Sequence, residues 1–290
     1  MIEPFPLKNP ILPQKIKGVK RLSLDLLCYN NCVLSWATPY QRKTRKSQEM
    51  KVKLMNVLRR LVSRGRVFYL SIGSSKTCPI CEWTGHSFIR RSHQYKPGPT
   101  YICPSCGSSE RHRFAYFLLK ERLARHSEKT LHFAPERCIE PWLRSISKEY
   151  LSVDLCSTNA MQHMDITNLT LEDDSFSLIW CSHVLEHITD DSKAMMELFR
   201  VLRLSGIAVV MVPVYGKTTY EDPKITSPEE RLKHFKQKDH VRLYGQDIRS
   251  RLEKVGFHVE VLSTSDLLKD DVTKYVLQYP STKEIFLCTK

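Results

Sequence analysis

The sequence predicts an α/β protein with a mostly parallel sheet whose last strand is antiparallel, preceded by a small zinc-ribbon-like module. Two observations support this fold class. From residue 130 onward, short apolar segments alternate with helix-like segments, as in a parallel sheet covered on both faces. Before residue 114, two C-x-x-C pairs lie close together, as in a metal-binding module.

The basic residues are concentrated in the N-terminal segment. Residues 1–76 contain 16 Lys and Arg against 3 Asp and Glu, a net charge of +13, whereas residues 77–290 contain 29 against 28, a net charge of +1. Within the segment, residues 48–64 have apolar side chains on one helical face and basic side chains on the other. Such a helix binds an anionic membrane surface or nucleic acid, or it docks on the adjacent domain with its charges in water. All three interpretations remain open.

The composition bounds the class of protein. An apolar content of 41% and a charged content of 26% are ordinary for a soluble globular protein. No apolar run approaches the roughly 18–20 residues that a transmembrane helix needs, and the N-terminus lacks the features of a secretory signal. Six of the ten cysteines have no framework spacing, which suits a reducing compartment. We therefore expect a cytoplasmic protein, with peripheral contact at the inner membrane surface through residues 48–64 as an alternative.

Residues 77–113 form a cysteine-rich module. Its two C-x-x-C pairs, separated by 21 residues, are Cys78 with Cys81 and Cys103 with Cys106. Four thiolates at this spacing predict tetrahedral Zn²⁺ in a closed structural site. Because such a site leaves no coordination position open, we assign it no catalysis. Four free buried cysteines would not explain the paired spacing.

The module runs directly into a helix predicted over residues 114–126, which begins after Ser108 or Ser109. Residues 111–113 are basic and lie in the first turns of this helix. They either point at an anion near the main domain or form a solvated basic turn, and the sequence favours neither.

The main domain, residues 114–290, alternates strands and helices. Strands are predicted at 131–134, 150–155, 176–182, 207–214, 257–263 and 284–289, and helices at 136–147, 190–203 and 245–255. No clear helix separates the last two strands, so we predict that the final strand is antiparallel and at or near an edge of the sheet.

Residues 164–214 contain motifs that resemble those of class I S-adenosylmethionine-dependent methyltransferases, in the branch known as type 11. The motifs are Asp165-Ile166 with Ser175-Phe176, Val184-Leu185-Glu186-His187, and the segment RVLRLSG at residues 200–206. The resemblance covers about residues 130–290. It implies a Rossmann-like fold, S-adenosylmethionine as methyl donor and a transferase activity.

A narrower resemblance covers nearly everything after residue 77. The segments CGSSERHR, LHFAPE, TYEDP, PEER and DHVRLYG resemble those of a little-characterised bacterial group of methyltransferases with a four-Cys zinc module. That group also lacks the glycine-rich turn after the first strand, which implies that its absence here is not a sign of decay.

The family resemblance implies a cofactor site at the carboxyl ends of the first four strands. Asp154 would bind the ribose hydroxyls, Asp165 and Ile166 would contact the adenine, and residues 181–183 would form a floor. The other predicted cofactor contacts are Ala134, Pro135, Glu136, Leu155, Ser182, His183 and Arg111. In place of glycine, we expect Pro135 to fix the first turn, Glu136 to accept from the donor's ammonium group and Arg111 to pair with its carboxylate.

Methyl transfer to a hydroxyl needs a proton acceptor, and His183 and His240 are the two candidates. Residues 215–244 are too long and too polar for a plain connection, so we predict a substrate-facing lid. Its predicted substrate contacts are Tyr220, Asp222, Asp239 and Arg242. Two structural alternatives remain, a bracing pair at Glu186-His187 and a salt-bridged loop around Asp239, His240 and Arg242.

The function predicted from these features is O-methylation of a small molecule, glycan or glycolipid. An RNA methyltransferase that uses the zinc module and the basic N-terminus is an alternative, as is a non-catalytic protein that binds S-adenosylmethionine. Nucleic acid is the less favoured partner, because the main domain has no basic surplus and lacks the Asn-Pro-Pro-Tyr-type motif of base N-methylation.

Overall fold

The computed structural model of the protein describes residues 52–53, 55–56, 65, 67–92, 98–124, 128–278 and 282–290. The chain divides into two compact units, residues 1–63 and 64–290. Four residues of the first unit are described, and they are helical with exposed side chains. The amphipathic helix predicted over residues 48–64 therefore lies mostly outside the described residues. In the part of the chain that is described, no helix has both the length and the apolar character needed to cross a bilayer.

The cysteine-rich module consists of two short hairpins. Strands β1 (Lys76–Thr77) and β2 (Thr84–Gly85) pair antiparallel, as do β3 (Ile89–Arg91) and β4 (Thr100–Ile102). Each hairpin brings a C-x-x-C pair onto a tight turn: the amide of Glu82 donates to the carbonyl of Cys78, and that of Gly107 donates to the carbonyl of Cys103. Both donor residues have a left-handed backbone, with φ of 58° at Glu82 and 75° at Gly107. Only Gly107 adopts this conformation without the steric cost of a Cβ.

Helix α1 (Glu110–Leu123) connects the module to the main domain. Its N-cap is Ser109, in a capping box with His112, which confirms one of the two predicted starts. Phe114, Leu119 and Leu123 are fully buried on this helix and pack against the sheet.

The main sheet has seven strands in the order β12-β13-β9-β8-β5-β6-β7. The strands are β5 (Lys129–Phe133), β6 (Glu149–Asp154), β7 (Gln162–His163), β8 (Phe176–Ser182), β9 (Leu202–Met211), β12 (His258–Ser263) and β13 (Glu284–Thr289). Strand β13 runs antiparallel to both of its neighbours, β9 and β12, whereas the other pairs are parallel. The predicted α/β fold class and the predicted antiparallel last strand, near an edge, are therefore confirmed.

The core fills both faces of this sheet. Along β8, Ile179 and Cys181 contribute to one hydrophobic cluster, and Leu178 and Trp180 contribute to the other. Because successive side chains of a strand point to opposite faces, two covered faces require apolar residues at every position. This is why the strand segments are continuous apolar runs in the sequence.

The remaining helices cover the two faces and the insertion. They are α2 (Glu140–Ile146), α3 (Asp191–Val201), α4 (Pro228–Phe235), α5 (Ile248–Val255) and α6 (Lys269–Tyr275). Helices α3 and α5 pack on the face that holds Cys181, and α1 and α2 pack on the opposite face. The polar insertion contains α4 between two short antiparallel strands, β10 (Tyr220–Glu221) and β11 (Arg242–Leu243).

The structure differs from the sequence prediction at several elements. Strand β7 and helices α4 and α6 were not predicted, and β9 begins at Leu202 and ends at Met211, earlier than the predicted 207–214. The two residues of β7 are exposed and therefore give no hydrophobic signal. Strand β9 follows α3 with no loop between them. The sequence therefore has no break to mark where the spacing of apolar residues changes from that of a helix to that of a strand.

Candidate functional site

The predicted cofactor residues lie along one edge of the sheet. Residues 134–136 follow β5, residues 154–155 end β6, residues 165–166 follow β7, and residues 182–183 end β8. These four strands are neighbours and run parallel, so their carboxyl ends meet at the same edge. Ligands of open α/β sheets bind at this edge.

The first turn is made without glycine by a left-handed alanine. Ala134 has a φ of 47°, and its amide donates to the carbonyl of Val153 over 2.9 Å. A left-handed conformation costs a residue with a Cβ about 1 kcal/mol, a cost that glycine does not have. Pro135 follows at once and restricts the chain where it turns toward Glu136.

Glu136 is a buried carboxylate with one oxygen held in place and one oxygen free. Its Oε2 lies 2.9 Å from Nε2 of His132 and accepts from Nε1 of Trp180 over 3.2 Å. Its Oε1 lies 3.6 Å from Nε2 of His112 and has no hydrogen-bond partner among the described residues. Burial alone would raise the pKa of Glu136, but His112 and His132 hold it well below its usual range, so the side chain is charged.

Sequence reasoning missed the side chains that orient this carboxylate. His132 is fully buried in β5 and bridges Glu136 to the hydroxyl of Tyr150, 2.8 Å from its Nδ1. Trp180 reaches the same carboxylate from β8. The polar histidine within the apolar segment LHFA was the one available signal, because a buried polar group needs partners.

Two further polar atoms lie buried near this edge without partners in the described part of the chain, Nε of Arg111 and Oγ of Ser182. The charge of Arg111 contributes, after burial, to the lowered pKa values of both His112 and His183. Arg111 directly precedes His112 in helix α1, and Nε2 of His112 lies 3.6 Å from Oε1 of Glu136 at this edge.

The two predicted acids at the far end of the edge stabilise their own loops. Oδ1 of Asp154 accepts from the amides of Cys156 and Ser157, at 2.8 and 2.7 Å. Oδ1 of Asp165 accepts from the amide and the hydroxyl of Thr167, and these bonds lower the pKa of Asp165. Of the apolar residues that follow these acids, Leu155 is 64% exposed and Ile166 is buried.

His183 ends β8 in a left-handed conformation, with a φ of 57°. Its Nδ1 lies 3.0 Å from Oε1 of Glu186, at an angle that is poor for a hydrogen bond, and its Nε2 lies 3.2 Å from Oγ1 of Thr282. Burial, followed by the charge of Arg111, lowers the pKa of His183. Its role as proton acceptor stays a prediction.

His240 lies in a cluster with Glu186 and His187. Its side chain is buried, its Nδ1 has no partner among the described residues, and its ring meets that of His187 edge to face at 4.7 Å. Glu186, His187 and His240 each offer a metal-ligand atom, and these atoms lie within 4.8 Å of one another. Over 50 residues separate the first two from the third in sequence, so spacing alone gave no signal of this cluster.

Arg242 is occupied by the protein. It is 4% exposed, and its guanidinium donates to the carbonyls of Leu185, Ile188 and Thr189 and to Oε2 of Glu221. The two terminal guanidinium nitrogens hold the insertion onto the turn that follows β8, and Nε bonds Glu221 within the insertion. A contact of Arg242 with substrate stays a prediction.

The other predicted substrate residues are more accessible. Tyr220 is 43% exposed, with its hydroxyl 2.9 Å from Nδ1 of His234. The side chain of Asp239 is 65% exposed and approaches His187, and Asp222 is a half-buried residue that accepts from the amide of Lys224. Their contact with substrate stays a prediction.

The four cysteines of the module lie close together. Sγ of Cys78 is 3.7 Å from Sγ of Cys106, and Sγ of Cys81 is 3.7 Å from Sγ of Cys103. A zinc ion with four sulfur ligands at about 2.3 Å has sulfurs about 3.8 Å apart, so this arrangement fits tetrahedral coordination.

The sequence had allowed Arg113 to point at an anion. In the structure its side chain is occupied by other partners. It is fully buried and donates to the carbonyls of Tyr101 and Ser108 in the module and of Tyr275 and Val276 at the end of α6. Arg113 therefore joins the module to the main domain.

A cavity of about 660 Å³ lies elsewhere, at the opposite end of the sheet, with Ile207, His258 and Thr289 among its lining residues. His258 lies at the amino end of β12 and Thr289 at the carboxyl end of the antiparallel β13, where it pairs with Ile207 of β9. This cavity lies away from the edge where the polar groups gather, and we give the chemistry of that edge more weight.

Comparison with known proteins gives a family match for the sheet. Residues 131–210 match the family model described as "Methyltransferase domain". The search of curated proteins gave no match for the chain.

Solved structures that resemble the chain include two from bacteria. The YcgJ protein of Bacillus subtilis is 15% identical, with 61% of this chain and 95% of that chain covered and a TM-score of 0.41. An S-adenosylmethionine-dependent methyltransferase from Mesorhizobium loti is 12% identical, with 61% and 98% covered and a TM-score of 0.47. Similarities this distant give no information on the substrate.

Proposed function

We propose that the chain carries a class I S-adenosylmethionine-dependent methyltransferase domain and methylates an oxygen atom of a small molecule, glycan or glycolipid; the family match over residues 131–210 supports this. One observation supports this function most strongly. A charged carboxylate oxygen of Glu136, Nε of Arg111 and Oγ of Ser182 are buried near the carboxyl edge of the sheet without partners in the described residues. Buried polar groups are costly unless a ligand satisfies them.

These residues fit a zwitterionic amino-acid group of the cofactor. Glu136 would accept from its ammonium, and Arg111 would pair with its carboxylate. Asp154, at the end of β6, would accept from ribose hydroxyls, and the exposed Leu155 would cover one side of the adenine. When bound, S-adenosylmethionine supplies a methyl group activated by its sulfonium charge.

The left-handed Ala134 explains how the turn accommodates such a cofactor without glycine. S-adenosylmethionine has no pyrophosphate that presses on the backbone, so the first turn need not be made of glycines. A single left-handed residue followed by Pro135 bends the chain and places Glu136 at the site.

His183 is our candidate proton acceptor, from its position at the end of β8. Its Nδ1 lies beside Glu186 and its Nε2 beside Thr282, so the imidazole is held in one orientation. A hydroxyl acceptor would lose its proton to this ring as the methyl group arrives. The insertion with Tyr220, Asp222 and Asp239 would then face the acceptor.

We further propose that Cys78, Cys81, Cys103 and Cys106 bind a structural zinc ion. Their separations match a four-sulfur tetrahedron. The ion would fix the hairpins on which Arg113 depends, and through α1 it would fix the position of Arg111.

Transfer of a radiolabelled methyl group from S-adenosylmethionine tests the acceptor class. A fractionated bacterial extract is incubated with the full chain and labelled cofactor. We expect label in the small-molecule or glycolipid fraction, and a His183→Gln variant should reduce it at least about tenfold. Label found in RNA alone would contradict the proposal and support the alternative acceptor.

A further inference from the structure

Glu186 is a buried carboxylate for which the protein provides no fixed cation. Its side chain is 2% exposed, and neither oxygen has a hydrogen-bond partner among the described residues. Among the described residues its one ion pair is with His183, whereas the arginine nearby, Arg242, donates to carbonyls and to Glu221. A buried carboxylate in this state is costly unless a positive charge binds to it.

Two histidines converge on the same place. His187 lies in the same 3-10 turn as Glu186, and His240 comes from the insertion, where the next amide, that of Val241, donates to the carbonyl of Glu186 over 2.9 Å. The Nδ1 atom of His240 is buried and unpartnered in the described chain, so it offers a lone pair with no other use.

We propose that Glu186, His187 and His240 bind a divalent transition-metal ion at the junction between β8 and the insertion. Their ligand atoms lie within 4.8 Å of one another, close enough to converge on one ion after small side-chain movements. Two imidazoles and one carboxylate are ligands that suit Zn²⁺ and other first-row divalent ions, and three protein ligands leave positions open.

The surroundings of the cluster support this assignment. Oδ2 of Asp239 lies 3.3 Å from Nδ1 of His187, which leaves Nε2 for the ion in the carboxylate–histidine–metal arrangement. On the other side, Oε1 of Glu186 lies 3.0 Å from Nδ1 of His183, which leaves Oε2 for the ion. Glu186 and His187 therefore each have one atom beside a neighbour and one atom available, and His240 has its unpartnered Nδ1.

The open positions of such an ion would bind an oxygen of the methyl acceptor, a hydroxyl or a carboxylate, beside His183. This part of the inference rests on the proposed function, whereas metal binding itself does not. His240 would then be a ligand and not the proton acceptor that the sequence allowed, so the two candidate histidines would have different roles.

The test is calorimetric titration of the full chain with ZnCl₂, after dialysis against a chelator too weak to empty the cysteine site. We expect one metal ion per chain beyond the cysteine-bound one. Glu186→Gln and His187→Ala should each weaken that second binding step at least about tenfold. His258→Ala is the matched control, since His258 is exposed in β12 and outside the cluster, and it should bind like the unmodified chain.

His187→Ala keeps the test informative if Glu186→Gln fails to fold, because His187 is partly exposed. Absence of a second binding step, or a step unchanged in both variants, would overturn the inference. If zinc binds as expected and S-adenosylhomocysteine does not, the proposed function fails and the metal site stands.

Discussion

The two cysteine hairpins of the module, up to residue 109, and the carboxyl edge of the sheet use their polar groups in opposite ways. In the module, the four sulfurs face one another and the carbonyls of Tyr101 and Ser108 accept from Arg113. At the edge, Glu136, Ser182 and Glu186 retain buried oxygens without partners among the described residues. Groups that are satisfied internally stabilise a fold, whereas groups left unsatisfied need a ligand.

Backbone conformation shows a smaller contrast, because the module's other left-handed knuckle position, Glu82, also has a Cβ. In the module, one of the two left-handed knuckle positions is a glycine, Gly107, whereas the edge places Ala134 and His183 in the left-handed region, where a Cβ is unfavourable. Strained residues of this kind concentrate at functional sites. We therefore expect substitutions in the module to reduce stability and substitutions at the edge to reduce ligand binding.

The largest effect is expected from Cys103→Ser. Loss of one thiolate should release the zinc ion and lower the free energy of unfolding by about 3 kcal/mol or more, because structural zinc binding is coupled to folding. Thermal unfolding and metal analysis measure both effects. Cys156→Ser is the control, since Cys156 is exposed and outside the cluster. If Cys103→Ser retains both its zinc and the Tm of the unmodified chain, the four-cysteine site does not stabilise the fold as we expect.

Arg113→Met should have the next largest effect on stability. The methionine fills part of the volume, but four carbonyls lose their donor, so we expect a loss of about 2–4 kcal/mol and a Tm lower by roughly 5–15 °C. The matched control is Arg122→Met, which removes an exposed ion pair with Glu260 and should cost less than about 1 kcal/mol. Equal losses in the two variants would show that Arg113 does not join the module to the main domain.

Glu136→Gln tests the edge through binding. The amide keeps the shape of the side chain and removes its charge, so we expect affinity for S-adenosylhomocysteine to fall about tenfold or more. Glu149→Gln is the control, because Glu149 lies at the start of β6 with an exposed side chain. An affinity equal to that of the control would contradict the role of Glu136 in holding the ammonium group.

The smallest effect is expected from Ala134→Gly. Glycine relieves about 1 kcal/mol of left-handed strain and adds a similar conformational entropy to the unfolded chain, so Tm should change by no more than about 2 °C. Affinity for S-adenosylhomocysteine should stay within about twofold, because this residue acts through its backbone. A large loss of affinity would mean that the methyl side chain of Ala134 contacts the ligand.

Local patterns predicted much of this molecule. The spacing of the cysteines placed four sulfurs together, and the apolar runs placed the main strands, because both signals lie within short segments. The helix start at Ser109 and the antiparallel β13 were also predictable from neighbouring residues.

The rest depends on contacts between distant segments. The sequence suggests a charged lid residue at Arg242, but three of its partners are backbone carbonyls more than 50 positions away, which have no signature in the sequence. For the same reason, the orientation of Glu136 by Trp180 and the meeting of Glu186 with His240 could not be predicted.

Calorimetric titration of the full, unmodified chain with S-adenosylhomocysteine tests the central claim most directly. We predict binding of one molecule per chain, and the affinity should fall in both Arg111→Met and Glu136→Gln. Absence of binding to the unmodified chain would contradict both the cofactor site and the methyltransferase function proposed for it.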